Sequence, residues 1–357
     1  MSSIEYLPNE TLCDIFEWVY SPSLQAPEPP PLTSALRLSH VTSRWRNISI
    51  DLPPLWTHIR ISHFRDAEMV EILFNRSKEL SLDISIHCLT SAPPEVSSRL
   101  WMILTSIVSR IPRCCRLSII TTTSNFLTIE KRFGGNPINS PQLKILELIQ
   151  SEDGQIVHFP SLDVDPRVLS SVILDHVVLI SSFPYFLAGL NSLDIRHSYW
   201  FGLWDMMPLV MPELRHLTIC ATVLPRITIF SSLTYLKIGG PWNARHYLSY
   251  FMDLSTPALE CLELSDLPTR EGWWELISIV QDTVSKYPAV QSLSLSTLKL
   301  VGLDIRFAHA FPNLQHLKFV NVDPEPILKL LREEPSIWPS LCTITVDGLE
   351  VERPCQI

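Results

Sequence analysis

Cysteine and histidine are the residue types in this sequence that most readily bind metal ions or act as nucleophiles and bases. The chain has eight cysteines and eleven histidines. No two cysteines form a C-x-x-C pair, and no cysteines and histidines have the spacing of a tetrahedral zinc site. We therefore expect reduced, mostly buried thiols and no metal site. The cysteines are at positions 13, 88, 114, 115, 220, 261, 342 and 355.

Known catalytic and phosphate-binding motifs are absent from the sequence. It contains no G-x-S-x-G, H-E-x-x-H, Walker, G-x-G-x-x-G or calcium-loop pattern. The chain has only ten glycines, whereas a phosphate cradle needs glycines to bring backbone N–H groups close to the ligand. His216 and His316 share one position of the repeat described below but are several repeats apart. We expect no catalytic residue, no cofactor and no enzyme activity.

Composition narrows the class of protein further. The chain of 357 residues is 46% hydrophobic and 18% charged, which is typical of a folded protein. Its net charge of −9 and the lack of a dense Lys/Arg block argue against nucleic-acid binding.

The sequence contains no clear secretion signal and no clear membrane-spanning segment. The N-terminus has no basic region followed by an apolar core, so we expect a cytoplasmic or nuclear protein. The most apolar window, Ser170–Leu190, is interrupted by Asp175, His176 and Pro184. Because an acid in mid-span costs about 2.5–3.5 kcal/mol on insertion, we expect no membrane segment.

A repeat of the form P-x-L-x-x-L-x-L runs through the body of the chain. It occurs as PQLKILEL, PELRHLTI, PALECLEL, PAVQSLSL, PNLQHLKF and PSLCTITV, and without the proline as VLSSVIL, GLNSLDI and SLTYLKI. The first apolar positions are 143, 169, 190, 214, 233, 259, 290, 314 and 341. Alternate apolar residues predict short strands, and a single strand cannot bury its apolar face alone, so the units are expected to stack into a solenoid. Residues 269–287 between two strands have helical spacing.

The first 55 residues have a different pattern. YLPNETLCDIFEWVY predicts a helix with Leu12, Ile15, Phe16 and Val19 on one face. The proline-rich segment 21–35 predicts a solvated loop. Then Leu38, Val41, Trp45 and Ile48 form one apolar helical stripe, followed by Trp56, which we expect in the core.

These residues carry a resemblance to a known family. LPNETLCDIF, LRLSHVTSRWRNIS and LPPLW resemble the F-box, and the later repeats resemble leucine-rich repeats of irregular length. The whole arrangement looks like that of fungal F-box proteins with degenerate leucine-rich repeats. Val41-Thr42 stands where that family usually has Val-Cys.

The resemblance implies an α/β fold: a small helical F-box module at residues 1–55, then an irregular leucine-rich-repeat-like solenoid at 56–357. In that solenoid, parallel strands would line the concave side, with helices and loops on the convex side.

The resemblance also implies a function. F-box proteins bind a Skp-type adaptor, and through it cullin and RING subunits of a ubiquitin ligase, while their second domain recruits a protein substrate. By matching position, the expected adaptor-binding residues are Leu7, Pro8, Leu12, Ile15, Phe16, Val41 and Trp45. Alternatively, these residues are core residues that face the first repeats. The chain would then be a non-catalytic interaction scaffold in which the F-box-like segment only caps the solenoid.

The repeat also predicts which side chains face away from the core. Residues that flank the last two apolar positions of each strand point to the concave face. The candidate substrate-binding residues are Asp194, Arg196, His216, Tyr235, Lys237, Glu263, His316 and Lys318. Their mixed charge favours a protein substrate over nucleic acid.

Overall fold

The protein is mixed α/β and divides into two compact units in a computed structural model. The model describes residues 4–20, 33–62, 67–89, 97–133, 138–151, 156–159, 162–179, 189–198, 209–221, 228–240, 256–266, 287–298, 300 and 305–351. Unit 1 comprises Met1–Leu169 with Leu179–Phe183, and unit 2 comprises Ser170–Val178 with Pro184–Ile357. The expected boundary at residues 55–56 lies inside unit 1 and stays a prediction.

Helices dominate the early part of the chain and strands the later part. The α-helices of the described residues are α1 (Asn9–Tyr20), α2 (Thr33–Ser39), α3 (Ser43–Asp51), α4 (Ala67–Arg76), α5 (Ser97–Arg110), α6 (Thr123–Phe133), α7 (Ile305–His309) and α8 (Glu325–Glu333). Short 3-10 helices span Ile4–Tyr6, Pro53–Trp56 and Ile111–Arg113. The strands are β1 (His58–Ile61), β2 (Leu82–Cys88), β3 (Cys114–Thr121), β4 (Ile138–Ser140), β5 (Ile145–Gln150), β6 (Val157–Phe159), β7 (Leu162–Val164), β8 (Ser171–Asp175), β9 (Val177–Leu179), β10 (Ser192–Arg196), β11 (Leu209–Val210), β12 (His216–Cys220), β13 (Thr228–Ile229), β14 (Tyr235–Gly239), β15 (Cys261–Ser265), β16 (Ser292–Ser296), β17 (His316–Val320), β18 (Thr343–Val346) and β19 (Leu349–Val351).

Unit 1 contains a parallel sheet whose strands are joined through helices. Its order is β1–β2–β3–β5, with α4 between β1 and β2 and α5 between β2 and β3. Alternate residues of β2 are buried, as expected for a strand with one face in the core. Helix α5 buries Leu100, Ile103, Leu104 and Ile107, which is the spacing of one helical face. Parallel strands with intervening helices are the βα pattern of an α/β fold.

Unit 2 contains a longer sheet that is parallel except at its last strand. Its order is β8–β10–β12–β14–β15–β16–β17–β18, and β19 pairs antiparallel with β18. Equivalent repeat positions lie opposite one another, so that Leu217, Leu236 and Leu262 form a continuous buried row. The coarse prediction, an α/β fold with mostly parallel strands, is confirmed.

The repeat predicted the buried positions correctly. The nine first apolar positions are at most 4% exposed, and a strand begins shortly after each of them. They are Leu143, Leu169, Leu190, Leu214, Leu233, Leu259, Val290, Leu314 and Leu341. Part of the apolar window 170–190 also belongs to the repeats, because β8 and β9 span most of residues 171–179. Within the described residues, no helix has the length and apolarity to cross a membrane.

A left-handed residue follows each parallel strand of the long sheet of unit 2. We call these residues the post-strand positions: His176, His197, Ala221, Gly240, Asp266, Thr297, Asn321 and Asp347. Their φ angles lie between 48° and 108°. In six of them, from His176 to Thr297 in chain order, the backbone N–H donates to the last carbonyl of the next strand, as in His197 N to Cys220 O at 2.8 Å. A backbone hydrogen bond therefore links neighbouring repeats at each of these six turns.

Two expectations for the N-terminal region are wrong. The stripe from Leu38 to Ile48 is not one helix, because the chain turns between α2 and α3 and Thr42 caps α3 by accepting a hydrogen bond from Trp45 N at 3.1 Å. The loop predicted for 21–35 ends earlier, since α2 begins at Thr33 and Ala35 is fully buried. The expected helix at residues 269–287 lies outside the described residues, apart from Tyr287.

The thiols differ partly from expectation. The seven described cysteines are all free, but only Cys88 and Cys114 are buried. The expectation of mostly buried thiols is therefore wrong, because most of the others lie at half-buried positions of strands or of α1.

Candidate docking surfaces

The N-terminal helices pack through the residues that the sequence singled out. Leu12 and Phe16 on α1 are fully buried, and the Phe16 ring lies 4.9 Å from the Trp45 ring, centroid to centroid, at a tilt of 57°. Tilted aromatic pairs of this kind are favourable beyond the area that they bury. Leu12 and Phe16 therefore lie in the core beneath the surface of the N-terminal helices, and their contacts are made within this chain.

Arg44 ties the start of the module to α3. Its Nε and Nη2 donate to Asn9 Oδ1 at 3.0 Å and 2.7 Å, and Nη2 also donates to the Leu7 carbonyl at 2.5 Å. Arg46 Nε donates to the Ser39 carbonyl at 3.0 Å. These two arginines hold backbone segments in place, so their guanidinium groups have partners within the chain itself.

Apolar side chains remain exposed around this packed centre. Val41, in the turn before α3, is 56% exposed, and Pro8 is exposed at the start of α1. Leu7, Ile15 and Trp45 are half-buried. The predicted adaptor-binding residues thus separate into a buried pair and five that reach the surface.

Sequence reasoning missed the most exposed aromatic residues of this region. Tyr6 is 87% exposed and Trp18 is 72% exposed, although both are large and apolar. Trp18 and Val19 lie three and four residues after Ile15, so they share a face of α1 with it. The spacing in IFEWV already indicates that Ile15, Trp18 and Val19 share one face of the helix, but this face was predicted to be buried.

The candidate substrate residues of unit 2 occupy two rows across neighbouring strands, except Arg196, which lies opposite Cys220 in a third row. In one row His216 on β12 lies opposite Tyr235 on β14, and in the next Lys237 lies opposite Glu263 on β15. His316 and Lys318 hold the same two rows on β17, beyond the serines of β16. Asp194 and Arg196 lie on β10. All eight are half-buried or exposed, in alternation with buried apolar residues.

These polar residues bind mainly one another. Glu263 accepts hydrogen bonds from Tyr235 Oη at 2.8 Å and from Lys237 Nζ at 2.5 Å. Burial alone would raise the pKa of the Glu263 carboxyl, but the hydrogen bonds from Lys237 and Tyr235 outweigh burial and hold its pKa below the ordinary value. Arg196 pairs with Asp194, and His316 Nδ1 lies 2.7 Å from Thr343 Oγ1. The face therefore presents paired charges and hydroxyls, with no patch of one sign among these residues.

A scan of the sequence against protein-family models gives no match, and a search of curated proteins finds no significantly similar sequence.

Proposed function

We propose that the chain is the substrate-recognition subunit of a Skp–cullin–F-box ubiquitin ligase. In this proposal, residues 1–55 dock a Skp-type adaptor, and the strands of residues 56–357 form a leucine-rich-repeat-like solenoid that recruits a protein substrate. One observation carries it: apolar side chains at the F-box-like positions, such as Val41 and Ile15, reach the surface above the buried Leu12 and Phe16. Exposed apolar residues clustered on a polar protein are typical of protein-binding sites.

The energetics fit docking to a partner. Burial of one large apolar side chain contributes about 1.5–3 kcal/mol, and protein association costs about 4–15 kcal/mol in entropy. Several of the exposed residues Tyr6, Pro8, Ile15, Trp18 and Val41 must therefore be buried together for a stable complex. Aromatic residues such as Tyr6 and Trp18 are the types that most often dominate such interfaces.

The substrate half of the proposal rests on the paired polar rows of unit 2. The cluster of Tyr235, Lys237 and Glu263 offers both hydrogen-bond donors and acceptors on a firm backbone of parallel strands. Such a mixed surface suits a folded protein or peptide partner better than a polyanion. In this proposal, the face of the sheet that carries these polar rows is the concave side of the solenoid.

The test is adaptor capture by the full-length chain. The chain is co-expressed with a Skp-type adaptor, and binding is measured for wild type and for Ile15→Asp and Val41→Asp. Because each change removes an apolar contact worth about 1.5–3 kcal/mol and buries a charge, we expect at least a tenfold loss of affinity. Both residues are at least partly exposed, so the folded chain should tolerate the changes.

Ile72→Asp is the matched control for this test. Ile72 is an apolar residue of α4 with 42% exposure, in the same unit but outside the N-terminal helices. Its replacement should leave adaptor capture unchanged. If wild type captures no adaptor, or if Val41→Asp and Ile15→Asp bind as well as Ile72→Asp does, the proposal is wrong.

A non-catalytic scaffold is the second candidate, favoured by contacts inside unit 1. Tyr20 at the end of α1 lies within 3.0 Å of His58 Nδ1 on β1, and Trp56 Nε1 donates to the Ser49 carbonyl at 2.7 Å. These two bonds join the helical segment to His58 at the start of β1 and to Trp56 just before it, as expected for a capping element. If a chain shortened to residues 56–357 unfolds and the full chain binds no adaptor, capping is the role of the segment.

A further inference from the structure

Two histidines and an aspartate come together where β8 and β10 end. His176 and His197 are the post-strand residues of these neighbouring strands, and Asp175 is the last residue of β8. The two imidazole rings stack with centroids 4.4 Å apart at an angle of 14°. Asp175 Oδ1 lies 2.9 Å from His176 Nδ1 and 3.0 Å from His197 Nδ1. One ligand atom from each residue lies within 4.8 Å of the other two.

One nitrogen of this cluster lacks a hydrogen bond. His176 Nδ1 is buried and makes no hydrogen bond of acceptable geometry, despite its short distance to Asp175. A buried polar atom without a partner is costly unless something else satisfies it. The atom lies 2.9 Å from Asp175 Oδ1, and its ring stacks on that of His197, so a ligand that bridges all three groups would satisfy it.

We propose that Asp175, His176 and His197 bind a divalent transition-metal ion of the Zn²⁺ type. Two imidazoles and one carboxylate are the ligand types that Zn²⁺, Ni²⁺ and Cu²⁺ accept, whereas Mg²⁺ and Ca²⁺ prefer oxygen alone. Three protein ligands leave a fourth position for water. The ion would enter beside His197, whose side chain is 41% exposed, compared with 16% for His176 and 19% for Asp175.

The distances suit such an ion. Metal bonds of about 2.1 Å put neighbouring ligand atoms about 3.0 Å apart at right angles and about 3.4 Å apart in a tetrahedron. The two oxygen-to-nitrogen distances of 2.9 Å and 3.0 Å already fall at this separation. Because a metal ion lies near the plane of an imidazole that binds it, the stacked rings, now at 14° to each other, must rotate about their side-chain torsions to bind one ion. The backbone hydrogen bonds of His176 N to Arg196 O and of His197 N to Cys220 O hold both turns while they do so.

The surrounding charges permit a cation. Arg196 lies opposite Asp175 in register, but its guanidinium is engaged by Asp194 through two hydrogen bonds of 2.9 Å and 2.5 Å. Together Asp175, Asp194 and Arg196 leave one net negative charge beside the two imidazoles. The Cys220 thiol, at the end of the neighbouring strand β12, is a candidate for a competing ligand, and it lies outside the three-residue group.

The test is Zn²⁺ titration of the full-length chain in the presence of a non-thiol reductant. Calorimetry should show one ion bound per chain. His176→Asn and His197→Asn are the informative variants, since asparagine tolerates left-handed backbone and so preserves the turns. Loss of one ligand should weaken binding at least tenfold, because even loss of an outer-shell partner costs about 10–100-fold. Zn²⁺ should also shift the ring ¹⁵N resonances of two histidines in wild type.

His216→Asn and Cys220→Ser are the controls. His216 is an exposed histidine on β12, so its loss should leave the affinity unchanged, and so should loss of the Cys220 thiol. The proposal is overturned if wild type binds no Zn²⁺ at one ion per chain. It is also overturned if both histidine variants bind like wild type, or if only Cys220→Ser abolishes binding. The ring resonances of wild type decide the matter alone if a histidine variant fails to fold.

Discussion

Gly240 is the post-strand residue where a side chain has no room. Its φ of +108° is a conformation that other residues adopt only under strain, at about 1–3 kcal/mol. A Cβ added there would lie 2.6 Å from Ala221 N and 2.8 Å from Ala221 Cβ, so the neighbouring turn would have to move. Such overpacking costs about another 1–3 kcal/mol. After a gain of about 0.4–1 kcal/mol from the stiffer unfolded chain, Gly240→Ala should lower the free energy of unfolding by about 1–5 kcal/mol.

Gly348 provides the control for the steric part of this estimate. It also has positive φ, +85°, but a Cβ there would meet no atom within 4 Å. Gly348→Ala should therefore cost only the backbone strain, about 0–2 kcal/mol net. Urea denaturation followed by far-ultraviolet circular dichroism measures both variants. If the two variants lose the same stability, the close approach of the Gly240 and Ala221 turns is not a determinant of stability.

Two further predictions concern unit 1. Thr42→Ala should lower the free energy of unfolding by about 1 kcal/mol, because it removes the hydroxyl that caps α3, while Thr42→Ser should keep most of the stability. Equal stability of these two variants in urea denaturation would contradict the capping role. Burial lowers the pKa of the His58 imidazole, against an opposing effect of Asp83, so the folded chain binds a proton there less readily than the unfolded chain. The free energy of unfolding should therefore begin to fall as pH drops below the unfolded pKa of about 6.5 and continue to fall until the folded pKa is reached, with a slope of at most about 1.4 kcal/mol per pH unit from this group. His58→Gln should make this slope shallower, and exposed His309→Gln should not; equal slopes for His58→Gln and wild type would refute the assignment.

The strands that follow the repeat units were predictable because their signal is short and repeated. In a strand such as β14, the apolar Leu236 and Ile238 alternate with the polar Tyr235 and Lys237, and this period of two survives any change of loop length. The same alternation correctly predicted which residues face away from the core. Ser265 is an exception: it was expected on the exposed face but is 6% exposed, since the neighbouring Gly239 has no side chain and a Cβ there would meet its hydroxyl.

Other features of unit 1 lie outside the repeat. Helices α4, α5 and α6 do not follow from the repeat, because none of the three contains its proline and leucine unit. Their helical spacing, as in SSRLWMILTSIVSR, would have identified them. The sequence signal for the break between α2 and α3 is a single capping residue, Thr42, whereas the apolar spacing continues across the break.

The post-strand positions explain why the histidine cluster escaped notice in a sequence without zinc motifs. What recurs at these positions is a backbone conformation, with a backbone hydrogen bond at six of the eight, and the residue type varies among His, Ala, Gly, Asp, Thr and Asn. Successive post-strand residues lie on adjacent strands, and any two with ligand chemistry become neighbours in space whatever the length of the loop between them. ILDH and DIRH are the pair in this chain where both positions are histidine. In an irregular repeat, ligand pairs should therefore be sought by alignment at the end of each strand, because spacing along the chain carries no such information.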